Sequence, residues 1–210
     1  MVAISKNRIL ATVFIILMSV MSFGELLGQS LSVSFGGGLT VAKTFGKNEY
    51  DGNIKPKLGL GLSSGLEYFP IDKLSLQLEV GYEEKGRRVV LSEEDFFRST
   101  FKYLTISLYP KLYLSKNRNL FFGFGFYGGH LLGQRSIYDD GSKGDLTSLF
   151  KRFDFGLKGA LGVKIPLSKS IAIGFEEVFN LGLFDTDEQS DLGEFRHASL
   201  NSVLKIHYNF

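Results

Sequence analysis

Glu67, Glu79, Glu83, Lys111, Asp154, Lys158, Lys164, Glu176, Lys205 and His207 fall at alternate positions of segments whose other positions are mostly apolar. The set is nearly balanced, with five carboxylates against four lysines and one histidine. Charges gathered on one hidden face are tolerable only when paired and hydrogen-bonded, so this pattern predicts an internal salt-bridge network. A selective pore would more naturally carry an excess of one sign. Lys111, Lys158 and Lys205 are expected to pair with inward carboxylates such as Glu67, Glu79 and Asp154. Tyr103, Tyr109, Tyr113 and Tyr127 share the same face and should fill space between the charges.

Other residue constellations support less chemistry. Gly123, Gly125 and Gly128 spell the dinucleotide fingerprint G-x-G-x-x-G. That motif works where a strand hands over to a helix whose amino end faces a pyrophosphate. Here Phe124, Phe126 and Tyr127 continue a strand pattern through to Leu132, so the glycines read as small residues of a narrow interior. Asp139, Asp140, Gly141 and Asp145, like Asp185, Asp187, Glu188 and Asp191, have the composition of a calcium loop without its spacing. The chain has no cysteine, which excludes disulfides, thiolate metal sites and an amino-terminal lipid on cysteine. His130, His197 and His207 lie on three separate segments, and no Ser/His/acid arrangement can be assembled locally. His207 reads as a satisfied interior histidine. The expectation is a protein that is not an enzyme and uses no cofactor or metal. A net charge of +2 gives no case for nucleic acid.

The elements that carry these residues repeat every second position, the mark of strands with two unlike faces. In 74–82, Leu74, Leu76, Leu78, Val80 and Tyr82 oppose Ser75, Gln77, Glu79 and Gly81. The same alternation runs through 31–41, 58–69, 103–114, 120–133, 153–165, 170–183 and 198–210, giving eight strands. Each is long enough for the ~9–11 residues of a tilted membrane strand. Short connections at 70–73, 115–119 and 166–169 alternate with long polar ones at 42–57, 84–100, 134–151 and 184–197. An up-and-down outer-membrane barrel has this asymmetry, with short periplasmic turns and long extracellular loops. Eight strands enclose a bore that side chains just fill, too narrow for so many Leu and Phe, so the apolar face is assigned to lipid. The fold class expected is all-β, an eight-stranded antiparallel up-and-down transmembrane barrel.

Residues 1–28 are assigned to a cleaved signal peptide and 29–210 to the barrel. Lys6 and Arg8 precede an apolar run from Ile9 to Met21, and small residues follow at Ser22, Gly24 and Gly28. The preferred cut follows Gly28, with Gly24 as the alternative. The run is shorter than the ~17–25 residues of a spanning helix.

The run LSLQLEVGYEEKG at 74–86 resembles a segment of the PorT-like outer-membrane β-barrel family of Bacteroidota. YLTISLYPKLY at 103–113 resembles that family's following strand, with Lys111 at its lysine position. FDFGLKGALGV at 153–163 and FNLGL at 179–183 resemble its Asp-Phe-Gly and Tyr-Asn-Leu-Gly-Leu strands. The resemblance covers about 31–210, although Val178 stands where the family often has arginine. It implies a bacterial outer-membrane barrel and names no substrate.

The function expected is a small structural or accessory barrel with a plugged bore, offering its loops to a protein partner, with export machinery suggested by family analogy alone. A narrow solute channel and a surface adhesion or ligand-binding barrel are the alternatives. Outer-membrane lipid and the barrel-insertion machinery are the other expected partners. The insertion machinery is expected to read Ile206, Tyr208 and Phe210, whose terminal aromatic resembles an assembly signal. Adjacent Glu176 and Glu177 cannot both face inward in a regular strand, so a β-bulge or a partner barrel is expected at Glu177.

Overall fold

The computed structural model describes residues 31–46, 53–90, 96–115, 117–186 and 195–210. The segment assigned to a signal peptide, 1–28, lies outside the described residues. Eight long strands run β1 (Leu31–Phe45), β2 (Asn53–Ile71), β3 (Leu74–Val90), β4 (Phe96–Tyr113), β5 (Leu120–Tyr138), β7 (Phe153–Pro166), β8 (Ile171–Gly182) and β9 (Arg196–Asn209). A two-residue strand, β6 (Lys143–Gly144), leans on the end of β5. Each long strand pairs antiparallel with the next, and β9 returns to pair with β1 from Ser32↔Asn209 to Phe45↔Arg196. The ring is therefore closed, which leaves no long strand with a free edge.

Period two decides which side chain goes where. Phe35, Leu60, Ile106, Phe124, Leu161 and Ile206 are each more than half exposed, whereas Tyr103, Tyr109 and Lys111 are fully buried. A water-soluble barrel would invert this arrangement. An apolar exterior around a polar interior is the solution that hydrocarbon imposes, because a closed ring satisfies every backbone group internally.

The strands outrun the limits read from periodicity. Segments 84–90 and 96–100, expected as loop, form a paired hairpin that reaches Val90↔Phe96, and 53–56 pairs with 87–90. Above the apolar belt both faces of these strands are polar or mixed, so the period-two signal fades although the ladder continues. On the opposite rim the turns are short and tied together. Arg118, at φ 54°, donates to the Asp72 carboxylate at 2.7 Å and stacks its guanidinium 4.4 Å from the Phe69 ring.

The expected bulge at Glu176 and Glu177 is absent. Pairing is regular on both sides, Gly162↔Glu176 and Leu161↔Glu177 with β7, Glu176↔Val203 and Glu177↔Ser202 with β9. Glu177 faces outward and takes one hydrogen bond, 2.7 Å from the Ser202 hydroxyl, while its other oxygen has no partner among the described residues. A same-face hydroxyl on the neighbouring strand thus replaces the bulge. The arrangement leaves a carboxylate among Phe175, Phe179 and Leu161. Glu177→Leu is expected to stabilise the barrel in bilayers by up to ~2 kcal/mol, read as a higher urea midpoint in liposomes; an unchanged or lower midpoint would show that Glu177 is not exposed to lipid alone.

The seam between β1 and β9 depends on Gly38. A Cβ there would lie 1.8 Å from the Ser202 carbonyl oxygen, which is backbone and cannot swing away. Gly38→Ala should therefore open the seam, detected as loss of the heat-modifiable band and faster proteolysis at β1.

Candidate functional site

The interior builds up in tiers along the bore. Nearest the short turns, Glu67 on β2 accepts from Ser75 at 2.5 Å, from the Tyr113 hydroxyl at 2.5 Å and from Lys164 at 2.6 Å. Lys111 stands 3.8 Å from Glu67 and 3.4 Å from Glu176, so it joins two carboxylates. Lys205 on β9 bridges onward, 2.7 Å from Glu176 and in direct contact with Glu79. Glu79 also takes Lys158 at 2.6 Å, which shares its ammonium with Ser107 at 2.9 Å. These residues come from β2, β3, β4, β7, β8 and β9, so the chain of ion pairs crosses the bore.

Aromatic rings fill what the charges leave. Tyr109, Tyr113, Phe121 and Phe69 pack with Ala160 and Val178 in one cluster. Val178, the position at which the resembling family often has arginine, is an inward apolar contact here. The Lys111 ammonium lies 4.4 Å from the Phe121 ring centroid and Lys158 4.9 Å from that of Tyr109, so the cations meet π faces as well as carboxylates.

The half nearer the long connections holds a second group. Glu83 accepts from Ser199 at 2.5 Å, Asn201 at 3.0 Å and Asn180 at 3.2 Å. Asp154 pairs with Lys85 at 2.8 Å and accepts from the Tyr127 hydroxyl at 3.0 Å. Two expectations are corrected here. Asp154 does not meet Lys111, Lys158 or Lys205; its cation is Lys85, which sits on the strand extension read as loop. His207 is fully buried, yet neither ring nitrogen has a hydrogen-bond partner among the described residues, and its Nε2 stands 4.0 Å from the Glu176 carboxylate. His207 is therefore not the satisfied histidine expected.

Above these tiers an apolar lid packs into the mouth. Phe101, Tyr103 and Leu131 are buried together, and Phe150 from the β5–β7 connection packs onto them, its ring 4.7 Å from that of Phe101. The connection is held down by Gln134, whose amide N–H donates to the Thr147 hydroxyl at 2.8 Å and whose side-chain oxygen accepts from Leu146 at 3.0 Å. Arg87 stacks 4.3 Å from the Phe195 ring beside it. Lys85, Arg87 and Phe150 were not found from the sequence. Lys85 and Arg87 continue the inward parity of β3, Glu79–Glu83–Lys85–Arg87, and that extension was the available signal.

The remaining candidates are not brought together. His130 faces outward against Phe153, His197 is buried under the lid against Phe101, and His207 lies at the other end of the bore. Asp145 caps its own turn, accepting from Thr147 N–H at 2.9 Å and from the hydroxyl, and these bonds hold its carboxyl below the usual carboxylate range. Asp140 does the same for Ser142, with the same direction of shift. Asp187, Glu188 and Asp191 lie outside the described residues. The glycines at 123, 125 and 128 stay within β5, which runs on as strand to Tyr138, so no helix opens at them.

A closed, even ring of strands, apolar outside and filled with paired charge inside, defines a transmembrane β-barrel of the bacterial outer membrane. The chain belongs to the family described as outer membrane protein beta-barrel domain, whose model matches residues 27–188. Solved outer-membrane proteins are similar to this chain at low identity. Ail, the attachment invasion locus protein of Yersinia pestis, is 14% identical with a TM-score of 0.44, the match covering 87% of this chain and 100% of that one. Neisserial surface protein A is 12% identical with a TM-score of 0.47, covering 86% and 97%. OprG of Pseudomonas aeruginosa is 17% identical with a TM-score of 0.44, covering 86% and 96%. No curated protein matches the sequence.

Proposed function

We propose that the protein is a closed, non-enzymatic accessory barrel that anchors in the outer membrane and offers its long connections to a protein partner. The observation that carries this reading is the ion-pair chain from Lys164 through Glu67, Lys111, Glu176 and Lys205 to Glu79 and Lys158, set across the bore beneath the Phe101–Phe150 lid. Breaking several buried pairs to pass each ion would oppose conduction. One cavity between the tiers is about 40 Å³, lined by Glu79, Glu83, Lys158, Asn201 and Lys205, and a wider recess of about 490 Å³ at the short-turn end, lined by Phe69, Arg118, Lys164 and Phe210, stops at the ion pairs of Lys164 and Glu67. The 40 Å³ cavity has room for a few waters and none for a solute. The likeness to PorT-like barrels suggests a partner in protein export, by analogy alone.

Purified protein reconstituted in planar bilayers is expected to show no steady conductance. Ion-selective channels at the single-molecule level would replace this reading with that of a narrow channel. Affinity capture of tagged protein from its native outer membrane tests the accessory role, which predicts a stoichiometric protein partner lost when residues 139–150 are exchanged for a Gly/Ser linker.

A further inference from the structure

The outer wall carries a charge asymmetry that the bore does not explain. At the rim of the long connections, Lys55 stands opposite Arg88 and Arg88 opposite Arg98, so three cations lie side by side across β2, β3 and β4. Lys102 stands opposite Glu84 nearer the belt, and Arg135 stands opposite Thr100 on β5. Lys57 covers Gly86 and feels both Glu84 and Arg98. Lys55, Arg98, Lys102 and Arg135 are exposed. Like charges directly opposite one another destabilise a sheet, and among the described residues none of the three in the row has an ion-pair partner. Glu84 is engaged by the Tyr82 hydroxyl at 2.9 Å, and Asp145 feels Arg135 but caps its own turn. At the same rim the β7–β8 wall is apolar, with Phe153, Leu183 and Phe184 exposed.

Height and chemistry identify the ligand. Directly below Lys102 on β4 the outward positions are Leu104, Ile106 and Leu108, and Leu58 and Leu60 stand below Lys57 on β2. An amphiphile whose chains lie on this belt brings its headgroup to the cations. Arg88 and Arg98 carry their guanidinium carbons 4.5 Å and 5.4 Å from the Phe96 ring, which fixes two forks of the kind that grip phosphoryl oxygens. We propose that the outer surface of β2–β5 is a binding site for the phosphoryl groups of outer-leaflet lipopolysaccharide. Lys57 and Lys102 meet phosphate at the belt's edge, and Lys55, Arg88 and Arg98 meet phosphate further out on the saccharide.

The test uses the full barrel in phosphatidylcholine nanodiscs containing purified lipopolysaccharide, either intact or with its phosphates removed. Lipid retained per barrel after detergent extraction is measured together with the temperature of the heat-induced mobility shift. Intact lipopolysaccharide should be retained and should raise that temperature, and dephosphorylated lipid should do neither. K55Q/R88Q/R98Q should hold about a hundredfold less lipid, about fivefold per cation, whereas K43Q/K151Q should hold as much as wild type. Equal retention of the two lipids by wild type would overturn the proposal even if the triple variant failed to assemble. A matching shift with millimolar inorganic phosphate in lipopolysaccharide-free discs would overturn it in favour of a free-anion site. The connection 91–95 carries Glu93, Glu94 and Asp95 and lies outside the described residues. If E93Q/E94Q/D95N lowered the transition in phosphate-free discs as far as the triple cation variant does, the cations would be serving those carboxylates, and the lipid site would be refuted.

Discussion

Replacing Lys205 by methionine is expected to cost about 3–5 kcal/mol of barrel stability, the usual penalty for leaving a buried ion without its partner. Lys205 is 1% exposed and is the link between Glu79 and Glu176, so its loss leaves two carboxylates facing each other across the bore. Lys111 and Lys158 each continue to hold one of them, which keeps the effect from being larger. Lys205→Met should lower the urea midpoint in liposomes and the temperature of the mobility shift. The double variant Lys205→Met/Glu176→Gln should recover part of that loss, because it removes one of the stranded charges. Lys111→Met should behave similarly, since Lys111 touches both Glu67 and Glu176. Wild-type stability in Lys205→Met would mean that water reaches Glu79 and Glu176, and the closed-bore proposal would fail with it.

The second large effect is on assembly rather than stability. Phe210 contributes one backbone hydrogen bond to the seam, to the Leu31 carbonyl at 3.1 Å, and an edge contact with Tyr208 at 5.1 Å between ring centroids. Removing it from a folded barrel should cost only about 1 kcal/mol. In cells the expected outcome is different in kind: protein lacking Phe210, or carrying a polar tail after it, should remain as precursor or be degraded in the periplasm. The contrast is the test. Refolding in detergent should be near normal while outer-membrane yield collapses; normal yield would show that Ile206, Tyr208 and Phe210 are only a strand end.

The membrane belt was written plainly in residues such as Leu74, Leu76, Leu78 and Val80, because hydrocarbon on one side and a packed bore on the other impose period two on every strand that crosses. The same parity placed Glu67, Glu79, Lys111, Lys158, Lys164, Glu176 and Lys205 in the interior, and the alternation of short and long connections gave the order of the ring. Where the outer face leaves lipid, that constraint ends. Segments 84–90, with Lys85 and Arg87, and 96–100 therefore lack an apolar outer face to mark them, although β3 reaches Val90 and β4 begins at Phe96.

Only the folded ring decides which charges meet. Asp154 and Lys85 are far apart in sequence and on strands that are not neighbours in the sheet, and they touch because the closed barrel is narrow enough for side chains to reach across it. Register likewise set Glu177 beside Ser202 and aligned Lys55, Arg88 and Arg98 in one row. Parity assigns a residue to a face, but register and closure assign its partner, and they depend on all eight strands at once.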